Sequence, residues 1–314
     1  MIKNKIVLIS LLMIMAVIPK AYAAFESTYW GVRPLAMGGA FTAVANDANA
    51  PLYNIAGIAN LTEREISLSA SRLFTGLDGV EIGTNYFEYT QPLSMTTDMY
   101  GVMSFAWASL SSPGLSREDT FNIGYARKVN DVLRLDPEII NLTAGLNLKY
   151  LRHEYNFDLS NSPGLYPSSK GGFTADIGVL AQFTNGISVG LSSKYLTTPD
   201  IGFENEDKVS RMNVVGLAYY NELLPVVHIP YFTVAMDAVF VNNETNLRFG
   251  LESYLVDGKL AVRTGMRQEA FDIGFGYDFM LSEKIKLIVD YALEIPLEVE
   301  ESYGSHFFGI SFKF

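Results

Sequence analysis

Strict alternation of apolar and polar residues, repeated many times, most constrains what this chain can fold into. Phe271, Ile273, Phe275, Tyr277 and Phe279 interleave with Asp272, Gly274, Gly276 and Asp278. Ile285, Leu287, Val289, Tyr291 and Leu293 interleave with Lys286, Asp290 and Glu294, and Leu247, Phe249 and Leu251 with Asn246, Arg248 and Glu252. Successive side chains of a strand point to opposite faces, so each run has one apolar and one polar face. Counted from Glu65, about fourteen such segments follow one another, near 65–74, 80–91, 99–109, 119–129, 139–155, 172–183, 187–196, 209–220, 231–241, 244–255, 258–267, 269–280, 285–294 and 303–314. A single run fits a half-buried strand of a soluble sandwich. The whole series predicts a transmembrane antiparallel β-barrel.

The N-terminus adds the compartment. Lys3 and Lys5 precede an apolar run from Ile6 to Ile18, and Ala21-Tyr22-Ala23 is an A-x-A site. That is a secretory leader over 1–23, cleaved after Ala23 or Ala24, and the run is shorter than the ~20 residues a spanning helix needs. Removing Lys3, Lys5 and Lys20 takes 23 basic residues to 20 against 34 acidic ones, a net charge of −14. Nothing there neutralises phosphates, so no nucleic-acid partner is expected. With no cysteine, lipoprotein anchoring and disulfides are excluded. The longest later apolar stretch, Leu223 to Val241, is broken by Pro225, His228, Pro230 and Asp237, residues costly to a helix in lipid.

An even strand count puts both barrel ends on the periplasmic side. Outer loops are then expected at 110–118, 156–171, 197–208 and 295–302, and short inner turns at 184–186, 256–257 and 281–284. Two connections run against that pattern, a long inner 221–230 and a short outer 242–243. The last strand places Phe308, Ile310, Phe312 and the terminal Phe314 on one face. That pattern resembles the signal read by the barrel assembly machinery of the bacterial outer membrane, whose lipid is the other expected partner.

Polar faces suggest what lies inside. Arg248, Glu252, Arg263, Arg267, Asp272, Asp278, Lys286, Asp290 and Glu294 change sign from strand to strand, and opposite charges on neighbouring strands can pair. Such a ladder reads either as an ion-selective pore lining or, preferentially, as a salt-bridged interior. Early strands instead offer Ser67, Ser69, Ser71, Gly83, Asn85, Ser104, Ala106, Ala108, Asn122, Gly124 and Ala126 as inward positions. Small residues admit a second backbone, so the N-terminal segment is expected to pack inside against this half. An enzyme is not expected. Ser305 and His306 are adjacent on a strand and point to opposite faces, so they cannot form a nucleophile–base pair. No spacing suggests a metal or cofactor.

The segment before the first strand does not alternate. It reads GVRPLAMGGAFTAVANDANAPLYNIAGIANL, Gly31 to Leu61. Gly38 and Gly39 suit positive φ or close contact, Asn46 or Asp47 a helix cap, and Asn54 and Gly57 a turn into the first strand. The stretch resembles the N-terminal signature of the FadL-like outer-membrane proteins, nearest to the PorV/PorQ-type branch. Gly31, Arg33, Met37, Gly38 and Ala40 match a G-x-R-x-x-x-M-G-x-A run. Asp47, Ala50, Asn54, Ala56, Gly57 and Ala59 match the D-x-x-A-x-x-x-N-P-A-G-L-A that follows, with Ile55 and Ile58 in place of proline and leucine. The resemblance implies a barrel of about fourteen strands over 65–314 with a hatch, residues 24–64, in its lumen. In the FadL-type branch, hydrophobic molecules bind at the outer side, the hatch moves, and they leave sideways through the wall. In the PorV-type branch, the barrel docks or shuttles proteins of a secretion system. The polar outer loop Asn156–Gly171 is unlike the apolar loops of FadL-type transporters.

Overall fold

The computed structural model describes residues 25, 30–79, 81–95, 98–155, 168–203, 205–224, 229–299 and 301–314. The leader, His228 and most of the 156–171 loop lie outside the described residues. Fourteen antiparallel strands form one closed barrel: β1 (Glu65–Leu73), β2 (Ile82–Met95), β3 (Asp98–Ser112), β4 (Ser116–Lys128), β5 (Ile140–Tyr155), β6 (Ser168–Phe183), β7 (Ile187–Lys194), β8 (Met212–Leu224), β9 (Ile229–Val241), β10 (Glu244–Leu255), β11 (Leu260–Met266), β12 (Ala270–Ser282), β13 (Ile285–Pro296) and β14 (Ser305–Lys313). Each strand bonds to the next and β14 bonds to β1, so every neighbouring pair is joined around the ring. Closure leaves no unpaired edge, the condition for strands to cross lipid. Outward positions such as Leu68, Ile123, Leu148, Phe308 and Ile310 form an exposed apolar surface.

Both ends of the sheet meet at one end of the barrel, the terminal end. There Arg64 and Phe314 exchange two backbone hydrogen bonds, at 3.0 and 3.1 Å. The opposite, distal end carries the β5–β6, β7–β8 and β13–β14 connections.

Three details depart from the alternation. Strand β2 continues through Pro92 to Met95, where a run ending at Gln91 was expected; the register shift between Leu93 and Ser94 absorbs the proline. The expected loop at 110–118 is a tight turn instead, because Ser112 pairs with Ser116 and Leu115 N donates to Ser112 O at 3.0 Å. Gly83 and Asn85 face outward. Pairing with β1 turns Thr84, Tyr86, Glu88 and Thr90 inward, in line with Ser71, Ser69, Ser67 and Glu65. Both faces of β2 mix aromatic and polar residues, so alternation alone could not choose between them.

Residues 31–61 fill the lumen, almost all of them buried. They form helices α1 (Val32–Ala36) and α2 (Ala50–Tyr53) and a 3-10 helix over Ile55–Asn60. The 3-10 helix lies against β3–β6, of which β3 and β4 belong to the expected small-residue wall, and α1 against β11–β14. The segment thus crosses the whole lumen, whereas the sequence placed it against the early half only.

Candidate functional site

Backbone-to-backbone approach is what seats the lumenal segment. A Cβ on Gly265 would lie 1.9 Å from Gly38 N and 2.2 Å from Met37 C, and one on Gly250 would lie 2.5 Å from Met37 O. Gly38 itself has φ +64° and leaves 2.6 Å between an added Cβ and Phe249 O. Only glycine on both partners permits that contact. Gly57 faces Ala45 within the segment in the same way, at 2.0 Å, so its role is close approach rather than the expected turn. Gly31 is at φ +75° against the Asn49 side chain, and Gly39, also at +75°, lies against Arg248.

Polar side chains then pin the segment at fixed points. Arg33 reaches Glu252 through Nε and Nη2, both at 2.7 Å, and Asp47 through Nη1 at 2.8 Å. Two parallel bonds between guanidinium and carboxylate fix both position and orientation. Asp47 Oδ1 accepts from Asn49 N at 2.8 Å, ahead of α2. Asn54 accepts from Ala56 N at 3.2 Å, which caps the 3-10 helix, and donates to Thr42 O and Val179 O at 2.9 and 3.0 Å. Further anchors went unread in the sequence. Asp237 on β9 accepts from Phe41 N and Thr42 N at 3.1 and 3.0 Å, and Lys194 donates to Leu52 O at 2.5 Å. Asn147 donates to Pro51 O, and the Tyr86 hydroxyl contacts Ala48 O, both at 3.0 Å. Their signal was a polar residue in mid-strand, as in Phe232–Val241, where Asp237 interrupts an apolar run.

The charge ladder is brought together as ion pairs. Arg263 bridges Glu252 at 2.7 Å and Asp290 at 2.6 Å, Lys286 meets Asp278 at 3.2 Å, and Arg267 pairs with Asp272 and Glu294. Arg248 stands opposite Asp237 in the β9–β10 register. With Arg33 inserted, Asp47–Arg33–Glu252–Arg263–Asp290 becomes one continuous buried chain of alternating charge. The interior is salt-bridged at these positions rather than an open charged lining.

Trp30, just ahead of α1, lines one cavity, and Arg33, on α1, lines another. The distal one, about 380 Å³, is walled by Trp30, Leu73, Ile82, Leu110 and Phe307, with Arg267 and Glu294 among its polar lining. The terminal-end one, about 340 Å³, is polar, lined by Arg33, Asp47, Glu65, Asp278, Lys286 and Lys313 among others. Sequence reasoning missed the apolar wall, because Leu73 and Ile82 lie near the ends of their expected strands and Leu110 fell in an expected outer loop. Over the distal end, the β7–β8 connection is tied down by Asp200. The Lys170 ammonium, with the amides of Asp207 and Gly202, holds its carboxyl down to about 2.

Ser305 and His306 point apart. Ser305 donates to Glu294 Oε1 inside at 3.1 Å, and His306 Nδ1 meets Tyr291 OH outside at 2.8 Å. Phe308, Ile310 and Phe312 share the outer face of β14, and Phe314 follows the strand. Among the described residues no group of acidic or histidine side chains could hold a metal.

No protein-family model matches the chain, and no curated protein matches it. Solved structures do match in fold. A Pseudomonas aeruginosa FadL homologue aligns with TM-score 0.52 and 12% identity over 95% of this chain and 98% of that one. The CymD monoaromatic hydrocarbon channel aligns with TM-score 0.60 and 12% identity, over 92% and 98%. The P. putida toluene transporter TodX aligns with TM-score 0.55 and 11% identity, over 90% and 98%. At these identities the likeness is one of architecture.

Proposed function

We propose that this chain, freed of its leader, is a bacterial outer-membrane channel for small hydrophobic solutes, with residues 24–64 as its hatch. The distal cavity carries the reading. It is walled mostly by apolar side chains, sits at the mouth away from the chain ends, and shares none of its lining with the polar cavity. A solute held there would wait for the hatch to move. Engineered protein cavities of about 150 Å³ already take benzene, so 380 Å³ suits one-ring hydrocarbons better than long acyl chains. The fold shared with a monoaromatic hydrocarbon channel and a toluene transporter supports that solute class.

The alternative, a PorV-type barrel docking partners of a secretion system, draws on the motif of Gly31–Leu61 alone, and the cavity favours the channel. Enzymatic chemistry has no part in the proposal, and the outward aromatic face of β14 serves assembly. Cells that express the chain should accumulate a radiolabelled monoaromatic hydrocarbon faster than cells that lack it. Ile82→Glu, which puts a carboxylate into the apolar wall, should reduce that gain several-fold, since burying an unpaired charge is costly. Equal accumulation with and without the chain would contradict the proposal.

A further inference from the structure

We propose that removing the leader creates an α-ammonium group that docks on Glu118, latching the start of the lumenal segment to the distal wall. Phe25, just past the A-x-A site, is only 5% exposed, although chain ends are ordinarily loose unless tied down. Its ring lies in a pocket with Leu151, Ile201, Val209, Met212, Val214 and Val239. Its backbone nitrogen donates to Glu118 Oε2 at 3.0 Å, and its carbonyl accepts from Tyr195 OH at 3.2 Å. Four strands and a loop thus build a seat for this one residue.

Glu118 lacks a cation in that seat. Its in-register neighbours are Leu110 on β3 and His153 on β5, and Asp207 adds a further negative charge nearby. Among the described residues no lysine or arginine forms an ion pair with it. The adjacent Arg117 is engaged by Asp119 at 2.9 Å. Peptide geometry keeps the nitrogen of the preceding residue within about 4 Å of Phe25 N. A signal peptidase hydrolysing Ala23–Ala24 adds water across that bond. The carboxylate leaves with Ala23, and the freed amine of residue 24 takes up a proton to become ammonium. Cleavage after Ala24 gives Phe25 itself the ammonium. Either product supplies the positive charge, and a charge-assisted hydrogen bond is roughly twice as strong as a neutral one.

The inference rests on the leader reading and not on transport. A latched N-terminus in a protein that binds no hydrocarbon would remove the channel and leave the latch. The test uses full-length protein exported in cells and purified from the envelope. Intact mass should give Ala24 or Phe25 as the first residue; any other start overturns the latch. A reagent selective for α-amines should label the folded protein about tenfold more slowly than the unfolded chain, because it reaches only the undocked fraction. Glu118→Gln should abolish that protection. Equal labelling of folded and unfolded wild type, or undiminished protection in Glu118→Gln, overturns the proposal. Should Glu118→Gln fail to assemble, the mass and the wild-type labelling ratio decide.

Discussion

Replacing Gly265 by leucine should push residues 37–39 off the barrel wall and open the lumen to ions. The added Cβ would fall 1.9 Å from Gly38 N and 2.2 Å from Met37 C. Both are backbone atoms, so no rotamer change relieves the overlap. Overpacking of a core costs about 1–3 kcal/mol and more where the neighbours cannot yield. The lumenal segment has somewhere to go, into the cavities that Trp30 and Arg33 line, whereas the β11 ladder has not. Conductance of the variant in planar bilayers should therefore rise several-fold over wild type, and chymotrypsin should cut after the otherwise buried Phe41 in the folded protein. Wild-type conductance with an uncut Phe41 would show that the segment does not close the barrel.

Glu252→Ala should be the most destabilising single change in the lumen. Glu252 accepts from Arg33 and from Arg263, and all three side chains are almost wholly buried. Removing the shared carboxylate leaves two adjacent guanidinium groups with less negative charge between them, and breaking a buried ion pair in this way costs about 3–5 kcal/mol. Asp47 and Asp290 still serve the outer ends of the chain, which keeps the loss within that range. Urea titration in detergent should show the midpoint fall. Glu252→Gln, which keeps the shape and part of the hydrogen bonding, should lie between. A midpoint unmoved by Glu252→Ala would contradict the role given to Arg33.

Much of the wall was legible because lipid enforces one rule on every strand. Phe271–Phe279 alternates without exception, and Ile285–Leu293 with only Ile288 and Ala292 out of pattern, so their faces could be assigned from sequence. Strand β2 could not, since Tyr86 and Glu88 turn inward while Phe87 and Tyr89 turn outward. An aromatic on each face erases the contrast that alternation depends on. The small residues of β3 and β4 signalled a second backbone in the lumen. Where it rests on the late wall was hidden, because Gly250, Gly265 and Gly274 sit among charged neighbours that drew the reading toward ion pairs. The apolar cavity was hidden for another reason. Its walls come from strand ends and from Trp30, residues far apart in sequence that only closure of the barrel brings together.

The most direct test of a distal hydrophobic site uses that same Trp30. The chain has two tryptophans, and Trp107 lies on the outer face of β3, its Nε1 donating to Asp119 at 3.0 Å. In Trp107→Phe protein, Trp30 is the single indole and lines the cavity. Titration with bromobenzene, a heavy-atom quencher of one-ring size, should quench its fluorescence along a saturating curve, and Ile82→Glu in the same background should abolish the saturable part. Quenching that grows linearly without saturation, and equally in both proteins, would contradict a hydrophobic solute site in this barrel.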